Sequence, residues 1–338
     1  MILCCGEALI DMIPSANEAD EAGFTPHSGG AVFNTAIALS RLSANTGFLS
    51  GVSTDLFGEK LRGALVASNV DLRFLITSDR PTTLAFVQLT GGQARYTFYD
   101  ENTAGRMLDT GDLPDLPDDM TAMYFGGICL INEPCADFYA ALAVREAKDK
   151  AIILDPNIRA NFIKNEGGYR ARLDQMVAHT DILKVSDEDL NWIIPGDASL
   201  NDKVAQLRVM GPRIVVLTKG RDGAAAYFGE AQIVEVPAHP AKVVDTVGAG
   251  DTFNAGFLAS LSENGFLTKG ALDGIRGVDL EDALSNGAKV AAITVSRTGA
   301  NPPWADELLA AFWQQVMDAL IAPGGCHSLL VKGPVKDA

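Results

Sequence analysis

Residues 243–253, Val-Val-Asp-Thr-Val-Gly-Ala-Gly-Asp-Thr-Phe, have the form of a site that handles phosphate. Gly248, Ala249 and Gly250 follow an apolar β-branched pair and open a helix carrying Ala255, Leu258, Ala259 and Leu261. Small residues let the backbone turn sharply and approach a ligand, and the free N–H groups of a helix start favour an anion. Asp251 beside such an anion hole cannot itself bind phosphate, because like charges repel. The chemical task open to it is to accept a proton from a hydroxyl that attacks phosphorus. Simple capping of the helix is the alternative use of an aspartate here.

Three further segments carry polar groups at turns or inside apolar runs. Ser28-Gly29-Gly30-Ala31-Val32-Phe33-Asn34 opens a helix whose first turn presents an amide, able to donate to and accept from a polyhydroxylated ligand. A chance asparagine at a helix start is the other reading. Asp11 ends the run Gly6-Glu7-Ala8-Leu9-Ile10, where an acid needs hydrogen-bond donors, from a sugar or from backbone. Thr218-Lys219-Gly220-Arg221-Asp222-Gly223 closes an apolar strand with a two-glycine turn, which suits a nucleotide edge or any tight hairpin. Two better-known phosphate loops are excluded. The dinucleotide fingerprint needs glycine at position 253, which is Phe253, and no Gly-Lys-Ser/Thr occurs for a Walker A loop.

The elements that must position these residues are short apolar runs alternating with helix-period segments. Strands are expected at 46–52, Met123–Phe125, Ala151–Leu154, Ile182–Val185 and Ile214–Thr218, and helices at 31–43, 55–68, 135–148, 201–209, 250–262 and 281–294. Such alternation predicts an α/β fold with a mostly parallel sheet covered on both faces. Thr82–Leu89 and Arg95–Tyr99 flank Gly91-Gly92 with no helix between them, which predicts a hairpin. With the strand Ala8–Ile13 it would form a small separate sheet, a lid or a plain surface hairpin. Periodicity is lost from Pro323, so 323–338 is expected to be a loose tail beyond one domain, 1–322.

The charge balance restricts the partners. With 27 Lys plus Arg against 43 Asp plus Glu, the net charge of −16 disfavours nucleic acid and anionic membrane surfaces. Phosphate must then be handled by backbone N–H groups and metal ions. Five cysteines without CxxC spacing and four scattered histidines make structural zinc and a disulfide framework unexpected, and point to a reducing compartment. No apolar stretch is long enough to span a membrane, and a cytoplasmic protein is expected.

Taken in order, these segments resemble the ribokinase (PfkB) family of carbohydrate kinases. Gly29-Gly30-Ala31-x-x-Asn34 is similar to its N-terminal signature, and Asp245–Phe253 is similar to its C-terminal signature almost letter for letter, more than 200 residues away. The resemblance covers roughly residues 1 to 320. It implies a ribokinase-like fold with a central, mostly parallel sheet and a small β-sheet lid, from about 8–27 and 80–105. It also implies an ATP-dependent sugar kinase in which Asp251 is the base and Gly248, Ala249 and Gly250 form the anion hole. Asp11, Gly29, Gly30 and Asn34 would hold the sugar. Ser186, Thr218, Gly220, Gly223 and Asn286 would lie on the nucleotide side. Pairing of lids into a homodimer would cover an exposed apolar face.

Within the family, Gly6–Asp11, Asp155-Pro156-Asn157-Ile158-Arg159 and Lys184–Asp189 resemble the fructokinase and 2-keto-3-deoxygluconate kinase branch. Fructose is the leading substrate this implies, with Tyr99 and Arg106 facing it and Arg159 facing it or the phosphates, a structural ion pair being the other use of that arginine. 2-Keto-3-deoxygluconate, another ketose or a nucleoside is the nearer alternative; a non-catalytic sugar- or nucleotide-binding protein is the distant one. Three departures stand out. The metal-associated NxxE pattern reads Ser186-Asp187-Glu188-Asp189 here, which leaves Asp189 as the candidate toward Mg²⁺ with a changed reach. Asp100 replaces the arginine usual after the lid strand, and would repel an acidic sugar unless Arg106 compensates. A monovalent cation held by Asp245 and the loop Thr294–Gly299 is implied by many relatives, but Pro303 offers no hydroxyl there.

Overall fold

A computed structural model describes residues 1–16, 22–90 and 93–310. The expected tail at 323–338 and the Gly91-Gly92 turn lie outside the described residues. In chain order the first half comprises β1 (Ile2–Cys5), β2 (Leu9–Ala16), β3 (Ala22–Gly29), α1 (Ala31–Arg41), β4 (Thr46–Leu49), β5 (Gly51–Ser53), α2 (Leu56–Ala67), β6 (Ile76–Ser78), β7 (Leu84–Thr90), β8 (Gln93–Tyr99), β9 (Ala122–Gly126) and α3 (Cys135–Glu146). The second half comprises β10 (Ala151–Asp155), α4 (Glu166–Ala178), β11 (Ile182–Ser186), α5 (Asp187–Ile193), α6 (Leu200–Val209), β12 (Ile214–Thr218), β13 (Ala224–Phe228), β14 (Gln232–Val236), α7 (Ala249–Glu263) and α8 (Gly277–Val295).

Eight strands form the main sheet in the order β14-β13-β12-β11-β10-β9-β1-β4. It is parallel from β12 to β4, and the hairpin β12-β13-β14 adds an antiparallel edge. Strand alternation sends neighbouring residues to different cores. Ile2 and Cys4 of β1 pack with α1, α7 and α8, while Leu3 and Cys5 face the core under α3, α4 and α6. The same split divides Tyr124 from Phe125 and Ile153 from Leu154. Burial on both faces is why these strands read as unbroken apolar runs.

The second sheet has the order β3-β2-β7-β8, with β2 and β7 parallel and both outer pairs antiparallel. Its edge strand β3 carries Gly23, Pro26 and Gly29, a composition that hides strand character and that edge strands tolerate. The run expected as one strand at 46–52 is two. β4 joins the main sheet, whereas β5 pairs with β6 in a separate ladder, and at Gly51 the backbone passes against the Ala104 carbonyl. Helix α4 escaped the sequence reading because Gly167-Gly168 interrupt its first turn; its buried face is Tyr169, Arg172, Leu173, Met176 and Val177. α8 begins at Gly277 rather than 281, where Arg276 and Asp279 form a capping pair.

Candidate active site

A cavity of about 330 Å³ lies between the small sheet and the carboxyl ends of β9 and β10. Such a position, outside strand ends in an α/β sheet, is where ligands bind by the geometry of the fold. Its floor is the start of α7. Gly248 is the N-cap at φ 76°, a left-handed backbone in which a Cβ would meet Ala300. No side chain caps this turn; the Ala249 N–H donates to the Thr246 carbonyl at 3.3 Å, and the Gly250 N–H beside it is left for an anion.

Asp251, 9% exposed, faces this cavity from the first turn of α7. Its Oδ2 accepts a hydrogen bond from Asn34 Nδ2 at 2.9 Å, and its backbone carbonyl accepts one from Thr35 Oγ1 at 3.2 Å. The two glycine-opened helices thus meet at the candidate base. Burial pushes the Asp251 carboxyl up to about 7; the Asn34 bond and Lys184 oppose that, while Asp155 and Glu7 add to it. A carboxylate poised near neutrality at a helix start is suited to proton abstraction beside phosphate.

Asp11 also lines the cavity, and burial together with the Glu7 charge raises it to about 6. Gly29 is required behind it, since a Cβ there would lie 2.1 Å from Asp11 Oδ2. Gly30, the N-cap of α1 at φ 112°, Asn34 and Arg159 complete the sequence-predicted residues that line this space. Arg159 folds back, donating to Asn157 Oδ1 at 2.7 Å.

Tyr99 and Arg106, expected against substrate, do not line it. Residues of a strand alternate between faces. Tyr96 and Phe98 of β8 face the cavity, whereas Tyr99 lies on the opposite face of the sheet against Phe86. Arg106 Nη1 is spent on Asp100 Oδ1 at 3.0 Å, and Asn132 Nδ2 donates to Asp100 Oδ2 at 3.0 Å. Asp100 therefore neither repels a ligand nor leaves Arg106 free to hold one.

The nucleotide-side candidates are spread more widely. Asn286 borders a second cavity of about 350 Å³, together with residues 239–241, Ile293 and Leu308, and its amide donates to the Gly256 carbonyl at 2.7 Å. Among the described residues no carboxylate lines that cavity, whereas Asp251 lines the first. Ser186 and Thr218 are register partners at the ends of β11 and β12, outside both cavities. Gly220 and Gly223, at φ 54° and 91°, form the turn into β13 and lie outside both as well. Asp189 is engaged within the protein: Oδ1 accepts from Ile158 N, and Oδ2 from Ser186 N and Oγ. Asp245 bridges the Val247 and Gly299 N–H groups and so ties the two loops together.

Sequence reasoning assigned no role to Lys184 or Glu7. Lys184 Nζ contacts Asp155 Oδ2 at 2.9 Å, and Asn254 Nδ2 donates to the same oxygen at 2.7 Å. A Cβ on Gly250 would lie 3.7 Å from the ammonium, which places this cation beside the start of α7. Burial alone would lower the Lys184 pKa, but Asp155, Asp189 and Asp251 together hold it above its ordinary value. A lysine inside the apolar run Ile182–Val185 was the available signal.

The domain pattern of the pfkB family of carbohydrate kinases matches residues 1–307. This chain belongs to that family. It is 51% identical over 289 residues to a fructokinase of Rhizobium leguminosarum bv. trifolii, covering 85% of this chain and 86% of the relative. A fructokinase of Klebsiella pneumoniae is 31% identical over 77% of the chain and 84% of its own length. Among solved structures, a Xylella fastidiosa fructokinase with bound ATP superposes with a TM-score of 0.83 at 26% identity, covering 93% of this chain and 98% of that one. An aminoimidazole riboside kinase of Salmonella enterica superposes at 0.77 and 25% identity, over 91% and 98%. The expected ribokinase-like fold and carbohydrate kinase class both hold, and the small separate sheet is present as expected.

Proposed function

We propose that this kinase transfers the γ-phosphoryl group of ATP to a primary hydroxyl of fructose, with Asp251 as the base. The observation that carries this reading is the buried Asp251 carboxylate, held by Asn34 beside the start of α7, which no side chain caps, and facing one cavity with Asp11. Fructose is favoured by the 51% identity to a fructokinase and by the mutual neutralisation of Asp100 and Arg106, which leaves that pair no cation for an acidic sugar.

In this mechanism Asp251 takes the hydroxyl proton as the sugar oxygen attacks the γ-phosphorus and ADP departs. The N–H groups at the start of α7 and the Lys184 ammonium stabilise charge on the transferred group. Asp11, Gly30 and Asn34 hold the sugar, and the second cavity beside Asn286 takes the base of the nucleotide. Magnesium, if brought with the nucleotide, would supply further charge neutralisation. The described residues form no cluster of three or more His, Cys, Asp or Glu side chains able to hold a metal, and both Asp189 oxygens are taken. That fits an ion whose ligands come chiefly from phosphate and water. A monovalent cation near Asp245 would act through the loop that Asp245 holds. The small sheet serves as the lid, with Phe98 resting edge-on against Phe162 at 4.7 Å between ring centres.

The test is ADP release with Mg-ATP across fructose, 2-keto-3-deoxygluconate, ribose, tagatose and adenosine. Fructose-dependent turnover well above the rest is expected; turnover confined to the acidic sugar would overturn the substrate. Gly29→Ala, which pushes Asp11 aside, is expected to raise KM for fructose about tenfold or more while kcat at saturation changes less. Equal loss in both would remove Asp11 from sugar binding.

Dimerisation through the lid rests on its outer face. Phe24, Phe86 and Tyr99 make edge-to-face contacts there, with Phe24 46% and Tyr99 56% exposed. Tyr99→Asp is expected to convert a dimer to a monomer by light scattering; an unchanged mass would exclude this face.

A further inference from the structure

Helix α1 has no capping side chain of its own: its N-cap is Gly30, and its first turn contains no acid. The missing partner comes from Glu7, in the loop after β1. Its Oε1 accepts a hydrogen bond from the Ala31 N–H at 2.8 Å, and its Oε2 accepts a long one from the Cys129 N–H at 3.5 Å. The carboxylate thus spans the start of α1 and the turn that follows β9.

The surrounding residues are shaped to admit this acid. A Cβ on Gly127, at φ 79°, would lie 2.2 Å from Glu7 Oε1, and a Cβ on Gly30 would lie 2.8 Å from the Glu7 carbonyl oxygen. On the adjacent residue, a Cβ at Gly6 would lie 2.4 Å from Val32, so α1 rests directly on the Gly6-Glu7 backbone. Burying a carboxylate is unfavourable unless donors replace its water. At this helix start it meets donors and the positive end of the peptide dipoles together. One turn further on, Asn34 donates to Asp251.

We propose that Glu7 is a positioning residue for phosphoryl transfer: it fixes the first turn of α1, and through it the Asn34 amide that holds Asp251. The role rests on Asp251 being the base. Glu7 itself need not touch the reacting atoms. Its positioning action is relayed through one helical turn, so well above pH 7, where its charge on Asp251 and Asp11 no longer sets their protonation, its removal should matter only as long as Asn34 is present.

The test is a double-mutant cycle on kcat/KM with Glu7→Ala and Asn34→Ala, with melting temperatures measured alongside. Glu7→Ala is expected to lower kcat about tenfold or more and to shift KM for ATP little. The double variant is expected to be no slower than Asn34→Ala alone. Glu7→Gln keeps an acceptor of the same reach for the Ala31 N–H and is expected to retain kcat within about threefold of the parent. Additive losses in the cycle, or a glutamine variant as slow as the alanine one, would overturn the proposal. Should Glu7→Ala fail to fold, Glu7→Asp, one methylene too short to span both N–H groups, replaces it in the cycle with the same expectations. Asp251→Asn, run in parallel, keeps the two readings apart. Full activity there defeats the base assignment, whereas an inactive Asp251→Asn with an additive cycle defeats only the role of Glu7.

Discussion

Asp251→Asn is expected to lower kcat by roughly 10²- to 10⁴-fold, the usual contribution of a positioned general base. Asparagine keeps the shape and still offers Asn34 an acceptor, so calorimetric binding of fructose and of ATP should remain close to the parent. Binding that disappears with turnover would instead mean that the substitution disrupted the cavity. The parent enzyme should show an acid limb in kcat/KM near pH 7, because burial lifts Asp251 from its ordinary 3.8 to about 7. An acid limb near 4 would place the base elsewhere.

The same elevation has a stability consequence of definite sign. A carboxyl raised on folding binds its proton more tightly in the folded chain than in the unfolded one. Its contribution to stability is fully present below about pH 4 and is lost as pH rises to about 7. The interval corresponds to a penalty on the order of 4 kcal/mol above neutrality. Asp251→Asn should therefore melt higher than the parent at pH 8, with the difference vanishing toward pH 4. Equal melting temperatures at both pH values would show that Asp251 is not strained by its burial.

Lys184→Met carries the second large expectation. Lys184 and Asp155 are both buried, and the ammonium is the cation paired with that carboxylate. Removing one partner of a buried pair leaves the other uncompensated, which costs about 3–5 kcal/mol. Chemical denaturation should show a loss of that size. Asp155→Asn introduced into the methionine variant should restore much of it, since Asn254 Nδ2 can still donate to an amide oxygen there. Even when refolded by that second change, the enzyme should turn over slowly, because the cation beside Gly250 is gone. A double variant with normal kcat would confine Lys184 to structure.

The two glycine-opened helices were legible because the chemistry of a helix start is local. Asp251 and Asn34 each lie within a few residues of their own glycines, and the apolar runs between the two segments announce buried parallel strands. The parity of β8 was not legible. Tyr96, Phe98 and Tyr99 are all aromatic, and which face is covered depends on the pairing of β8 with β7. Asp100 and Arg106 are six residues apart, but their neutralisation also draws on Asn132, brought there by the fold. Glu7 reads as one acid after an apolar strand until α1, 24 residues later, is found to lack a cap. Lys184 and Asp155, 29 residues apart, each interrupt or end an apolar run, and only adjacent strands make them a pair.

By itself, then, the sequence determined the layered parallel sheet, the small second sheet and the glycine-opened start of α7, because strand periodicity and helix capping act within a few residues. Which aromatic faces the cavity, which charges cancel and which acid braces α1 were decided by the tertiary structure alone, since pairing and burial join residues that the chain keeps far apart.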